Sequence, residues 1–229
     1  MKRLALLLGA AALNLSGGAA AAPVQAAQKD WATTVTVTPE GGFRMGNPAA
    51  PVKVIEYGSM TCPHCATFTN SAKAPLAARV RTGKVSFEFR NMVLNGVDLT
   101  ASLLARCAGP ANFFKLTEEL FATQDQWVGK ITGLDQAQKE RLLALPENQR
   151  LGGFAEAGGL MQIAARSGVA PQQGKACLAD PAALERLGKM YEAAAALAVT
   201  GTPTFFVNGT KIHAHDWGEL EPLIKKAGG

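Results

Sequence analysis

Apolar positions first gather at Val52, Val54 and Ile55, and a short turn then delivers Cys62-Pro63-His64-Cys65 at the head of a helical stretch that reaches Arg81. A short apolar run bounded by a turn reads as a buried strand. Ser59 or Thr61 is placed to cap the helix, and Pro75 inside it is expected to kink it or split it in two. Gly83 turns the chain, and Lys84-Val85-Ser86-Phe87-Glu88-Phe89-Arg90 alternates as a second strand. Upstream, Thr33 to Thr38 alternates and is β-branched, which suits an edge strand. Pro39, Gly41, Gly42, Gly46 and Pro48 mark the stretch between that edge strand and Val52 as loop.

From Leu94 to Ala198 helical patterning takes over, with runs at 98–107, 111–121, 135–145, 160–166 and 180–198. Asp135 with Gln138 has capping-box spacing, and Asp180-Pro181 is a cap followed by a first-turn proline. Leu184, Leu187 and Tyr191 stripe one face of the last of these helices and read as core, as do Phe113, Phe114, Trp127 and Met161. Val199 to Ile212 then reads as strand, Asn208-Gly209 turn and strand, a hairpin. A terminal helix runs from about Asp216 to Lys226, with Pro222 awkward inside it. Removing the helical block leaves β-α-β followed by β-β-α. The fold class is therefore α/β, and the expected units are residues 27–93 with 199–229, interrupted by a helical insertion at 94–198.

The first 26 residues read as a targeting segment. Lys2 and Arg3 precede Leu4 to Leu8 and an alanine-rich stretch, and Val24-Gln25-Ala26 fits a cleavage site. Gly9, Asn14 and Gly17-Gly18 interrupt the apolar run too soon for a membrane span. Cleavage near Ala26 would place the chain outside the cytosol, in the periplasm, and lower the net charge from +5 to +3. That mild charge, with no basic run, sets nucleic-acid binding aside.

Export changes how the four cysteines are read, because disulfides persist outside the cytosol. A cysteine opening a helix faces unpaired backbone N–H groups and the positive end of the helix dipole. Both favour thiolate, the species that attacks disulfides. Cys65 lies one helical turn from Cys62, so the pair can open and close without moving the backbone. His64 between them can donate a hydrogen bond to a thiolate or attract it when charged. Zinc is not expected, since His213 and His215 are the remaining histidines and their spacing does not point to this site.

Cys62-Pro63-His64-Cys65, Glu56 in the preceding strand and Thr202-Pro203 before the hairpin together resemble the DsbA-type thiol:disulfide oxidoreductases. The resemblance spans nearly all of the chain after residue 26. It implies a thioredoxin fold with an inserted all-helical domain, and a redox-active disulfide in place of any cofactor. Cys62 would be the attacking thiol and Cys65 the more buried resolving thiol. Glu56 is either an exposed strand carboxylate or a partly buried acid beneath Cys65, and the resemblance favours the second. Thr202-Pro203 would be a cis-proline element binding extended clients, with Met60 adding apolar surface beside it; threonine at 202, where many DsbA proteins carry valine, leaves isomerase and reductase roles open.

With Cys62 bridged to Cys65, Cys107 and Cys177 have each other as remaining partners, and a staple between two helices is expected; two unpaired buried thiols are the alternative. The implied partners are exported proteins with free cysteines and a membrane quinone-linked reoxidant of the DsbB type, with the chain acting as a monomer. A non-catalytic chaperone using the helical surface is the reading from another class.

Overall fold

The computed structural model describes residues 29–229, so the expected leader at 1–26 lies outside the described residues. A 3-10 turn, Trp31–Thr33, leads to β1 (Val35–Val37), β2 (Phe43–Gly46), β3 (Val52–Gly58), α1 (Pro63–Arg81) and β4 (Val85–Asn91). Eight helices come before the next strand: α2 (Gly96–Cys107), α3 (Gly109–Ala122), α4 (Gln124–Thr132), α5 (Gln136–Leu143), α6 (Glu147–Gly158), α7 (Leu160–Arg166), α8 (Pro171–Leu178) and α9 (Pro181–Ala196). The chain closes with β5 (Thr204–Val207), β6 (Thr210–Ile212) and α10 (Trp217–Lys226). The strands form one mixed sheet in the order β1-β2-β4-β3-β5-β6. β3 and β4 run parallel around the α1 crossover, and every other pairing is antiparallel. This is a thioredoxin fold carrying an inserted helical block.

β2 departs from the loop expected there. Phe43 and Met45 alternate toward the core and pair with Phe89 and Phe87 of β4. Phe43 stacks on Phe113 of α3 at 3.8 Å between ring centroids, and Phe89 and Phe87 meet Phe113 and Phe114 at 5.9 Å each. Aromatic pairs at this separation add to the burial of their area. The glycines around β2 mark its ends, and a partner strand that is distant in sequence supplies its hydrogen bonds. At the front, Asp30 Oδ1 accepts from Ala32 N at 2.9 Å, so a 3-10 turn takes Trp31–Thr33 and the edge strand shortens to Val35–Val37.

Pro75 neither ends nor splits α1, which runs unbroken over 19 residues. Phe68, Ala72, Leu76 and Val80 form a buried stripe on both sides of it, and that packing carries the helix across the missing N–H. Neither Ser59 nor Thr61 caps α1: Cys62 is its N-cap, without a side-chain bond, and Ser59 Oγ accepts from Thr61 N instead. α9 buries Leu187, Met190 and Ala194, so the stripe is rotated from the expected one and Tyr191 is half exposed.

The capping box of α5 and the Asp180 cap of α9 form as expected, and Asp216 caps α10 through Glu219 N, with Pro222 accommodated inside the helix. Helices α4, α6 and α8 lie outside the expected helical runs, because their segments are polar or glycine-rich and become helical by packing. Gly174 in α8 shows this: a Cβ there would lie 2.7 Å from Met161 Cε. Cys107 and Cys177 are joined by a disulfide that staples α2 to α8, with Cα atoms 6.0 Å apart. Phe113 and Trp127 are buried as expected, and Phe114 and Met161 are partly buried against the same core.

Candidate active site

β3 delivers the chain from the sheet centre to the turn Ser59–Thr61, and Cys62 then opens α1 with Pro63 in its first turn. Proline suits that position because its missing N–H would be unpaired there anyway. Cys62 and Cys65 stand as two thiols. Cys65 is fully buried, and Cys62, expected to be the less buried of the pair, is itself only 7% exposed because the loop before β5 lies against it. The Thr202-Pro203 peptide in that loop is cis, and the Cys62 thiol donates to the Thr202 carbonyl at 3.2 Å.

The two sulfurs are electrostatically opposite. The Cys65 thiol, donating to the Cys62 sulfur, has the largest effect, and together with the Thr202 side chain and the N–H groups of Cys65 and His64 it lowers the Cys62 pKa to about 5 against the opposing cost of burial. Burial drives the Cys65 pKa the other way, well above an ordinary thiol, with the hydrogen bond to Cys62 and the charges of Glu56 and Cys62 adding to it. The His64 side chain is exposed, and its backbone N–H is the group that faces the Cys62 sulfur.

Glu56 is 1% exposed, and both carboxylate oxygens lack a protein hydrogen-bond partner. It lies in register between Phe89 of β4 and Phe205 of β5. Of the two readings, the exposed strand carboxylate is therefore excluded. Burial first, and the Cys62 charge second, hold its carboxyl well above the usual carboxylate range, so it keeps a proton where a surface glutamate would not. Gly58, next on the same face, leaves room for it: a Cβ there would sit 2.9 Å from Glu56 Oε1.

Met60 does not offer the apolar surface expected of it. It is fully buried, because its backbone is fixed on both sides. Asp98 Oδ1 of α2 accepts from Met60 N at 2.8 Å, and Gln124 Nε2 of α4 donates to Met60 O at 2.8 Å and to Cys62 O at 3.0 Å. Asn95, the cap of α2, donates to Thr61 Oγ1 at 3.2 Å. Leu94, whose N–H donates to Asp98 Oδ2 at 2.8 Å, is an exposed apolar residue just after β4. Asp98 and Gln124 escaped the sequence reading. Asn95 with Asp98 has helix-start spacing that could have flagged the first, and nothing in the sequence marks Gln124.

Among the described residues no group of three or more His, Cys, Asp or Glu could hold a metal ion, and no helix is long and apolar enough to cross a membrane.

A parallel β3-α1-β4 unit with a dithiol at the head of α1 and a cis-proline loop across from it defines thioredoxin-like thiol chemistry. Residues 38–226 match the family model described as Thioredoxin. A crystal structure of a protein-disulfide isomerase from Novosphingobium aromaticivorans superposes with a TM-score of 0.74 at 31% identity, covering 80% of this chain and 95% of that one. Wolbachia pipientis alpha-DsbA1 shares the fold, with a TM-score of 0.66 at 22% identity over 83% of this chain and 92% of that one. A Rickettsia bellii protein assigned by name to the protein-disulfide oxidoreductases is 31% identical over 209 residues, 89% of this chain and 72% of the relative. The chain belongs to the thioredoxin family, among its protein-disulfide oxidoreductases.

Proposed function

We propose that this chain is an exported protein disulfide oxidase, which donates a Cys62–Cys65 disulfide to cysteines of proteins folding in the periplasm. The observation that carries this reading is the asymmetry of the dithiol: Cys62 is held at about 5 while its neighbour Cys65 is pushed up. A low-pKa thiolate is a good leaving group and stabilises the reduced enzyme, which makes the disulfide form an oxidant.

In the proposed cycle a client thiolate attacks Cys62 Sγ, and the Cys62–Cys65 bond breaks. Cys65 leaves as a thiolate and takes a proton from Glu56. A second client thiolate then attacks the client sulfur of the mixed disulfide and expels Cys62 as a thiolate. The client gains a disulfide, and the enzyme leaves reduced by two electrons, with Cys62 as thiolate and Cys65 as thiol, and Glu56 regains its proton from solvent. Extended clients would lie along the Thr202-Pro203 loop. A membrane quinone-linked protein of the DsbB type would reoxidise the dithiol. The proposed chain is a monomer cut near Ala26, with a thioredoxin-like unit at 27–93 and 199–229 and a helical unit at 94–198.

One observation favours isomerase or reductase action as the second reading: the Novosphingobium neighbour is named as an isomerase. The deciding experiment equilibrates the mature protein with glutathione and maps by mass which cysteines respond. The oxidase reading expects Cys62–Cys65 to be reduced under mild conditions while Cys107–Cys177 stays bridged. Reduction only near the much lower thioredoxin potential, about −270 mV, would exclude it.

A further inference from the structure

The helical block reaches the dithiol through one buried side chain. Gln124 opens α4, is 4% exposed, and spends both protons of one amide nitrogen on backbone 64 and 62 residues away, at Met60 O and Cys62 O. Cys62 O already accepts from Ala66 N, the first hydrogen bond of α1, at 3.2 Å, and Gln124 takes its second lone pair. Met60 has its N–H held by Asp98 and its carbonyl by Gln124, so inserted helices fix both sides of the turn that carries the reactive cysteine. The N–H groups of His64 and Cys65, which favour the Cys62 thiolate, belong to the helical turn built on that same Cys62 carbonyl.

We propose that Gln124 is a positioning residue for the dithiol: from the head of α4 it locks the Met60–Cys62 turn in the geometry that aims the His64 and Cys65 N–H groups at the Cys62 sulfur. Gln124 touches neither sulfur, so its effect passes through the backbone it holds. The inserted helices thereby set the reactivity of a thiol carried by the thioredoxin unit. This inference rests on the reading of Cys62 as the reactive thiol.

The test compares full-length wild type with Gln124→Met, which keeps the length and bulk of the side chain and removes both protons. Thiolate absorbance at about 240 nm is titrated against pH in the reduced proteins, and each is equilibrated with glutathione. Gln124→Met is expected to raise the Cys62 midpoint by about one pKa unit. It is also expected to shift the glutathione equilibrium about tenfold toward the disulfide form, which for two electrons is about 30 mV. A low wild-type midpoint matched by the variant overturns this inference alone, even if the variant melts earlier. A wild type that titrates as an ordinary thiol overturns the oxidase reading and this one with it. A Gln124→Met protein that does not fold moves the decision to wild type by NMR. There, couplings across the hydrogen bonds from Gln124 Nε2 to the Met60 and Cys62 carbonyl carbons are expected, and their absence overturns the proposal.

Discussion

The Thr202 carbonyl lies 3.2 Å from the Cys62 sulfur, although 140 residues and nine helices separate the two in the chain. The contact exists because β5 pairs with β3 on the side opposite β4, which brings the loop before β5 to the carboxyl end of β3, where Cys62 stands. The site is thus closed from one side by chain that comes after the helical insertion, and held from the other by the insertion itself.

The hydroxyl of Thr202 can be removed without losing that carbonyl. Thr202→Val takes away one donor to the Cys62 thiolate, and a hydrogen bond to a charged group contributes about 1.5–3 kcal/mol. The Cys62 pKa is expected to rise from about 5 by about one unit or more, with an accompanying fall in oxidising strength. Thiolate absorbance against pH measures the first and glutathione equilibrium the second; an unmoved titration would show that the hydroxyl is idle.

The stability of the reduced protein should depend on pH through Cys62. Its folded pKa of about 5 lies below the value of about 8.5 for an unfolded thiol. Between these values the unfolded state binds more protons, so folding gains stability as pH rises from about 5 to about 8.5. The contribution is complete above that window and is lost as pH falls back through about 5. The disulfide form has no such thiol. Urea denaturation of both forms at pH 5, 6.5 and 8 should therefore show reduced minus oxidised stability increasing with pH (about 25 °C). A flat difference would contradict the shift.

Glu56 carries the opposite sign. Its folded pKa lies well above the usual carboxylate value of about 4.3, so it costs stability progressively as pH rises above that value. Glu56→Gln is expected to stabilise the protein at pH 8 and to change little at pH 4, as read from urea midpoints. The same variant should slow release of Cys65 during exchange, which stopped-flow quenching of a fluorescent client would report.

Replacing each catalytic cysteine should separate their roles. Cys65→Ser leaves Cys62 able to hold a client with no internal thiol to resolve it, so a covalent complex sensitive to reductant should accumulate. Cys62→Ser should trap nothing. Non-reducing electrophoresis after incubation with a disulfide-bonded client, whose S–S bond the Cys62 thiolate attacks with release of one client thiolate, distinguishes them, and equal trapping by both variants would overturn the assignment.

The Cys107–Cys177 bridge closes a loop of 70 residues and ties α2 to α8, neither of which carries the dithiol. Replacing both cysteines with alanine should cost about 3–4 kcal/mol of stability through unfolded-state entropy. The Cys62 titration should not move. Denaturation midpoints and thiolate absorbance on the same double variant check both halves of this expectation.

The sequence by itself determined whatever depends on neighbours within a few residues. The apolar run at β3, the Cys62-Pro63-His64-Cys65 helix start, the capping box at Asp135, the Asp180-Pro181 start of α9 and the Asn208-Gly209 turn are local chemistry, and each formed where expected. Only the tertiary structure decided what depends on partners distant in the chain. Strand β2 exists because β4 and Phe113 receive it, and Pro75 is tolerated because a buried stripe spans it. Met60 is hidden because Asp98 and Gln124 hold its backbone from two inserted helices. Glu56 shows the division most plainly. A lone glutamate in a strand reads equally as surface or core, and Phe89 and Phe205 on either side, far from it in the chain, remove the water that would otherwise keep it an ordinary acid.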